Sequence, residues 1–435
     1  MVSNSSGVGA EDRQAVVSME PERTTQYDAL VLDAALRQSL VTVRSLGQRG
    51  LSVVALERFD GVPAFASRWC RQQLICPAEE GTEEYLKYLE QVLDRSGARV
   101  LISSSDGTIA LIRQYRERLE RRAGIALAKE PAMAIAVNKE QTLAIAEQLG
   151  LGVPRGVLVA AVSDVPAALK EIGLPAVVKP VESWVWNEAH DERQPGARII
   201  SRLVTTADEA RQAVEDLTRL GGTTLFQQFL TGRREAVSTM YAGGVMYARF
   251  AQWAKRTEPP LGGMSVLRQS IAIPEDIGDQ AERLVRAIDL EGYAEVEFRR
   301  DSVGVPYLME INPRLSASVE IAVRSGVDFP HLLYQWASGE KIEKVEGYRV
   351  GGWMRYLKGD IMATIEAIQQ RGRPGVTPPA QAIFDFCRSF LVPMDYDYVD
   401  WQDPVPALKA TSDFTRSWVG AAIMKRISHL KRSKK

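Results

Sequence analysis

Glu297 and Glu310 lie thirteen residues apart, in the runs Glu295-Val296-Glu297-Phe298-Arg299-Arg300-Asp301 and Tyr307-Leu308-Met309-Glu310-Ile311-Asn312-Pro313-Arg314. Both runs read as strands, and the Val303-Gly304 pair between them reads as the turn of a β-hairpin. Centred on that pair, the hairpin sets Glu297 opposite Glu310 and Glu295 opposite Asn312. Opposed residues share a face and stand roughly 5 Å apart. Val296, Phe298, Met309 and Ile311 then anchor the other face in a core. Two carboxylates and an amide oxygen, with Arg314 just beyond, suit Mg2+, which takes one or two carboxylates plus substrate phosphates; Mn2+ accepts the same oxygen donors. The bland reading of the spacing is a half-exposed hairpin with solvated acids.

Two lysines stand upstream in settings that suit phosphate. Lys139 opens a helix in which Asn138 can cap and Gln141 stands at the capping-box position. There a lysine and the aligned N–H groups of the first turn address the same anion; otherwise it is a solvated helix residue. Lys179, in the apolar strand Ala176-Val177-Val178-Lys179-Pro180, would be half buried and costly without an anionic partner. Residues 262–268 read as a flexible loop able to carry Arg268 to a reacting phosphate, with a solvated surface arginine as the equal alternative. Asp106, after the strand Val100-Leu101-Ile102, stands where α/β sheets bind ligands and could hold an amine, but reads first as the N-cap of the next helix.

The Glu297 and Glu310-Ile311-Asn312-Pro313-Arg314 pattern resembles the metal-binding hairpin of the ATP-grasp superfamily, most of all its carbamoyl-phosphate-synthetase-like branch. The resemblance implies that Lys139 and Lys179 are the two ATP lysines. It makes Leu225 to Gly232, with Gln227, Gln228 and Leu230, the hinge whose backbone meets adenine, and Glu235 the acid on the ribose. Glu297, Glu310 and Asn312 would hold Mg2+ or Mn2+, and Arg314, with Arg268, would serve catalysis. The implied activity is ATP-dependent carboxylate–amine ligation through an acyl phosphate, releasing ADP and phosphate. The alternative is a non-catalytic nucleotide-binding regulatory or scaffold protein, motivated by residues 181–196. There the family's glycine-rich loop is replaced by Val181-Glu182-Ser183-Trp184-Val185-Trp186 and its sequel. A single unit without a glutaminase domain argues against carbamoyl phosphate synthesis itself.

The elements that must position these residues follow from periodicity and composition. The expected fold class is α/β, with an α+β ATP-binding part. Residues 1–27 read as a disordered tail, since they are polar and aperiodic. Residues 28–128 alternate strands and helices, as in a Rossmann-like pre-ATP-grasp domain. Residues 129–340 form the ATP-grasp domain, and residues 341–435 an extension whose architecture is not readable. Lysine plus arginine (54) nearly cancels aspartate plus glutamate (55), so no global field draws nucleic acid. Three cysteines and three histidines make neither a disulfide framework nor a zinc pattern. No apolar run approaches the ~18 residues of a membrane span, and the first 26 residues lack a secretory pattern. A cytoplasmic protein acting on small-molecule carboxylate and amine substrates is expected, with a homodimer as the oligomeric option. Residues 415–435 read as a basic amphipathic helix, for which solvation or partner docking is preferred over peripheral membrane contact.

Overall fold

The structure is a computed structural model that describes residues 26–187, 194–198, 200–219 and 222–416. The expected tail up to residue 25, residues 188–193 of the unassigned loop and the expected basic helix beyond residue 416 lie outside the described residues.

The N-terminal domain is wound as the alternation requires. Its elements are β1 (Ala29–Val31), α1 (Arg37–Gln48), β2 (Val53–Glu57), β3 (Cys70–Ile75), α2 (Glu83–Ser96), β4 (Val100–Ile102), α3 (Asp106–Gln114) and β5 (Gly124–Ile125). All five strands are parallel, in the order β3-β2-β1-β4-β5. Side chains alternate across a strand. Leu30, Leu32, Val54 and Leu56 therefore enter one apolar cluster, while Ala29, Val31, Val53 and Ala55 enter another. Both faces are covered, and the winding reverses between β1 and β4. Ligands gather beyond the carboxyl ends of strands at such a reversal, and Asp33, Ser103, Ser104 and Ser105 stand there. β3 was not foreseen, because its burial alternates too weakly to read as core.

A four-stranded antiparallel sheet follows, in the order Arg202–Val204, Ala176–Pro180, Thr224–Gln228, Gly156–Val159. The helices Val165–Ile172 and Ala207–Thr218 bury one face of it over Val178 and Phe226. Lys179 faces the other way.

The third sheet has seven strands, ordered Pro306–Asn312, Gly292–Arg300, Arg234–Ala242, Val245–Glu258, Met264–Ile271, Trp353–Arg355 and Asp395–Tyr396. Its first two strands are the expected hairpin, with Glu297 opposite Glu310 and Glu295 opposite Asn312. Val296, Phe298 and Ile311 are buried as anchors. Met309 is not one of them. A register shift beside Glu297 sets Leu308 opposite Phe298, so Leu308 takes the core position and Met309 becomes the extra residue of a bulge.

The last two strands come from the segment after residue 340, so that segment is woven into the sheet rather than hung on it. Two buried carboxylates secure it. Asp397 receives Arg37 Nη1 of α1 at 2.8 Å and both Nη atoms of Arg268 at 3.0 and 2.6 Å. Asp403 receives Arg44 Nε of α1 at 2.9 Å and Ser67 Oγ at 2.6 Å. Residues 262–268 are accordingly not a flexible loop delivering an arginine. Arg268 lies on the strand Met264–Ile271 with its side chain 0% exposed, and its charge is spent on Asp397.

Candidate active site

The hairpin's polar face meets the cleft between the four-stranded and the seven-stranded sheets. Glu297 Oε1 accepts from Asn312 Nδ2 at 3.1 Å, and Oε2 accepts from Arg234 Nε at 3.0 Å. Glu310 Oε2 stands 3.6 Å from Lys139 Nζ, which donates to Ser183 Oγ at 3.0 Å. The lysine is held by its helix, Lys139–Gln148, where Asn138 Oδ1 caps Gln141 N at 3.0 Å and Lys139 N binds Val181 O at 2.9 Å.

Lys179 is 6% exposed on the facing strand. Burial lowers its pKa to about 8, against the upward pull of Glu310 and with a further push from Lys139. Glu310 feels the converse: burial raises its carboxyl, but Lys139, Lys179, Arg234 and Arg314 together hold it below the ordinary carboxylate range. Glu295, two residues from Glu297 on the same face, accepts from Gln252, Ser316 and Ser318, and burial together with the Glu297 charge pushes it up to about 7.

Arg314 is fixed from the N-terminal domain. Asp106 Oδ1 accepts its Nε at 2.6 Å, and Oδ2 its Nη2 at 3.3 Å. Asp106 is thus not the cap of α3. Ser105 caps it, its Oγ accepting from Thr108 N at 3.1 Å, which leaves the Asp106 carboxylate for Arg314. The hinge places its residues unequally. Gln227 shares Lys179's face, since Leu225 pairs with Lys179 and Gln227 with Val177. Its Nε2 is buried and, among the described residues, lacks an acceptor, as suits a polar ligand edge. Gln228 Oε1 instead accepts from Arg155 N and Nε at 3.2 and 3.1 Å, and Leu230 is buried.

Glu235 does not reach the cleft. It pairs with Phe298, one step out of phase with Glu297, so it projects from the opposite face and spends its carboxylate on Arg233 and Arg300 at 3.0 and 2.7 Å. The residue on the cleft face there is Arg234, which the resemblance did not supply. Alternation from Glu235 could have exposed the phase, had its register with Glu297 been known.

The unassigned loop is a two-stranded hairpin, Trp184–Asn187 with Gln194–Arg198. Trp184 rests on α3 at Gly107, where a Cβ would come within 2.6 Å of the indole ring. Only glycine admits that approach.

Among the described residues no three His, Cys, Asp or Glu side chains assemble as a metal cage. Two carboxylates and one amide oxygen fit a hard cation only when phosphate oxygens complete the shell, and the two facing lysines provide for those phosphates.

The fold also appears in solved structures. Biotin carboxylase from Campylobacter jejuni superposes with a TM-score of 0.59 at 16% identity, over 75% of this chain and 74% of that one. An N5-carboxyaminoimidazole ribonucleotide synthetase complexed with ADP gives 0.58 at 14% identity, over 81% and 86%. L-amino acid ligase from Bacillus licheniformis gives 0.54 at 19% identity, over 72% and 75%. Residues 254–358 match a family described as ATP-grasp in the biosynthetic pathway with Ter operon. The family match, the curated relatives and the solved structures together support the ATP-grasp superfamily. Among curated relatives, this chain is 26% identical over 219 residues to the D-alanine–D-alanine ligase of Saccharophagus degradans, covering 47% of this chain and 65% of that enzyme. It is 22% identical over 223 residues to the carbamoyl phosphate synthase large chain of Clostridium acetobutylicum, covering 50% and 20%. The match therefore spans just under two-thirds of the D-alanine–D-alanine ligase. Among the described residues no helix is long and apolar enough to cross a membrane.

Proposed function

We propose that this ATP-grasp protein is an ATP-dependent carboxylate–amine ligase that forms an amide through an acyl phosphate. The observation that carries the reading is the convergence of Lys139 and Lys179, from separate elements, on the carboxylate of Glu310 beside Asn312 and Glu297. Such a site balances charge only when phosphates and a divalent cation enter together.

Lys139 and Lys179 bind the triphosphate, Gln227 offers its amide to the nucleotide, and Glu297, Glu310 and Asn312 would hold Mg2+ or Mn2+. A bound divalent cation supplies charge neutralisation for the phosphate oxygens during transfer. Arg314, held by Asp106, places its guanidinium where charge moves from carboxylate to phosphoryl group; a preset donor there costs no reorganisation during the reaction. One oxygen of the substrate carboxylate attacks the γ-phosphorus, the bond to the bridging oxygen breaks, and ADP leaves. The amine nitrogen then attacks the acyl carbon and loses a proton, and phosphate departs with the former carboxylate oxygen. Trp184 on α3 excludes water that would hydrolyse the acyl phosphate.

The test is ADP release across a panel of small acids and amines, followed by the fate of carboxylate 18O. Label in phosphate supports the acyl phosphate, whereas label in AMP overturns it. Tight ATP binding with no ADP release from any pair would favour a regulatory protein.

A further inference from the structure

A cavity of about 350 Å³ runs from Glu310 and Asn312 along one side of α3. Its two ends carry ion pairs of different kinds. At the cleft end Asp106 grips Arg314. At the far end Arg113 Nε donates to Glu130 Oε1 at 2.6 Å, while Glu130 Oε2 accepts from Ala134 N at 2.8 Å. Glu130 is thus anchored to backbone, and it fixes the guanidinium by its Nε edge. Nη1 and Nη2 of Arg113 take no hydrogen bond among the described residues, and the side chain lines the cavity. Two parallel N–H donors on a held guanidinium match the two oxygens of a carboxylate.

Between the ends Ile109 and Ala110 of α3 and Ala136 and Val137 contribute apolar wall, and Gln114, Glu182, Ser183 and Trp184 also line the cavity. Seven residues separate Asp106 from Arg113, about 10 Å along a helix at 1.5 Å per residue.

We propose that the acid substrate is an elongated dicarboxylate: one carboxylate is activated at Arg314, and a second, beyond an apolar spacer, is received by Nη1 and Nη2 of Arg113. This rests on the ligase reading and names the substrate class for its acid site. An apolar spacer suits the stretch over Ile109, Ala110, Ala136 and Val137, because a polar group facing those side chains would lose water without finding a partner there. A monocarboxylate would leave Nη1 and Nη2 of Arg113 without an acceptor, with only Nε bonded to Glu130. The volume falls within the range of small-molecule sites.

The test uses adipate, pimelate and suberate against hexanoate, heptanoate and octanoate, with hydroxylamine trapping the activated acid as hydroxamate, so that the natural amine is not needed. The wild-type protein should favour the dicarboxylate of matching length by at least ~10-fold in kcat/KM. Arg113→Met should abolish that preference through KM for the dicarboxylate, with KM for ATP unmoved, and Arg113→Lys should restore part of it. Equal use of mono- and dicarboxylates, or a preference that survives Arg113→Met, overturns the proposal.

A binding arm separates this from the ligase reading. Pimelate is titrated calorimetrically into the protein with a non-hydrolysable ATP analogue. Binding lost in Arg113→Met, with no hydroxamate from any acid, refutes the ligase reading and upholds the dicarboxylate site. Pimelate binding unchanged in Arg113→Met, or absent from the wild-type protein, overturns the site.

Discussion

Replacing Asp397 by leucine removes the acid that two guanidiniums share across the molecule. Arg37 keeps the face of Tyr356 at 4.0 Å and some exposure, so it loses the less. Arg268 is 0% exposed, and its Nε is already without an acceptor. Removing one partner of a buried ion pair costs about 3–5 kcal/mol, chiefly the penalty on the stranded charge. Against a total of about 5–15 kcal/mol for a folded protein, that is about a fifth of the stability or more. The double variant Asp397→Leu, Arg268→Met removes the most deeply buried cation as well, and it should recover about 2–3 kcal/mol of the loss. Equilibrium unfolding in urea, followed by circular dichroism, reads both values from the shift in midpoint at constant slope. Turnover per folded molecule should change less than ~3-fold in Arg268→Met. If that variant instead cost 100-fold in turnover while the midpoint stayed in place, Arg268 would be part of the chemistry and the structural reading of the pair would be wrong.

Other perturbations read the cleft directly. Glu310→Gln should lower ADP release at least ~100-fold and weaken Mg2+-dependent ATP binding by calorimetry, with circular dichroism unchanged; near-normal release would refute the hairpin as the site. Arg314→Lys keeps charge but loses the planar fork, so kcat should fall ~100-fold with KM for ATP changed less than ~3-fold, a split that a purely structural role would not produce. Burial and the Asp33 charge push the Glu80 carboxyl up to about 7. A folded pKa above the unfolded one favours folding at low pH, and that contribution is lost as pH rises from about 4 to 7. Glu80→Gln should therefore gain about 1–3 kcal/mol relative to wild type between pH 4 and 7, and parallel stability–pH curves would refute it. Gly107→Val should displace both the Glu80 carboxylate and Trp184 from α3, raising ADP release in water without an amine relative to hydroxamate formation, whereas Glu80→Gln should leave that ratio alone; an unchanged ratio in Gly107→Val would show that the indole does not keep water out.

The hairpin was legible because its logic is local. Alternation of Glu295, Glu297, Val296 and Phe298 assigns faces, and the turn fixes the pairing, so the metal-ligand set follows without long-range knowledge. The same period of two defeated Glu235. A likeness places a residue to within one position, and one position is a change of face. Arg268 was misread because its partner lies 129 residues downstream, and nothing in a glycine-rich neighbourhood announces a distant acid. The C-terminal strands were invisible for another reason: Trp353–Arg355 and Asp395–Tyr396 are too short to show periodicity and exist as strands only because a sheet edge is present to receive them. Trp184 was seen as bulky and unexplained; only its contact with Gly107 gives the bulk a purpose.

The two arginines of α1 find their acids in Asp397 and Asp403, 360 and 359 residues further along. During synthesis at ~5–20 residues per second, on the order of 20–70 s separates the emergence of each cation from that of its anion. Through that interval the nascent N-terminal domain can wind its parallel sheet, but two guanidiniums bound for its interior must stay hydrated. Until the far strand has been made, the N-terminal domain meets the ATP-binding sheet with two guanidiniums lacking their acids, and a chain stopped short of Asp397 keeps that seam charged.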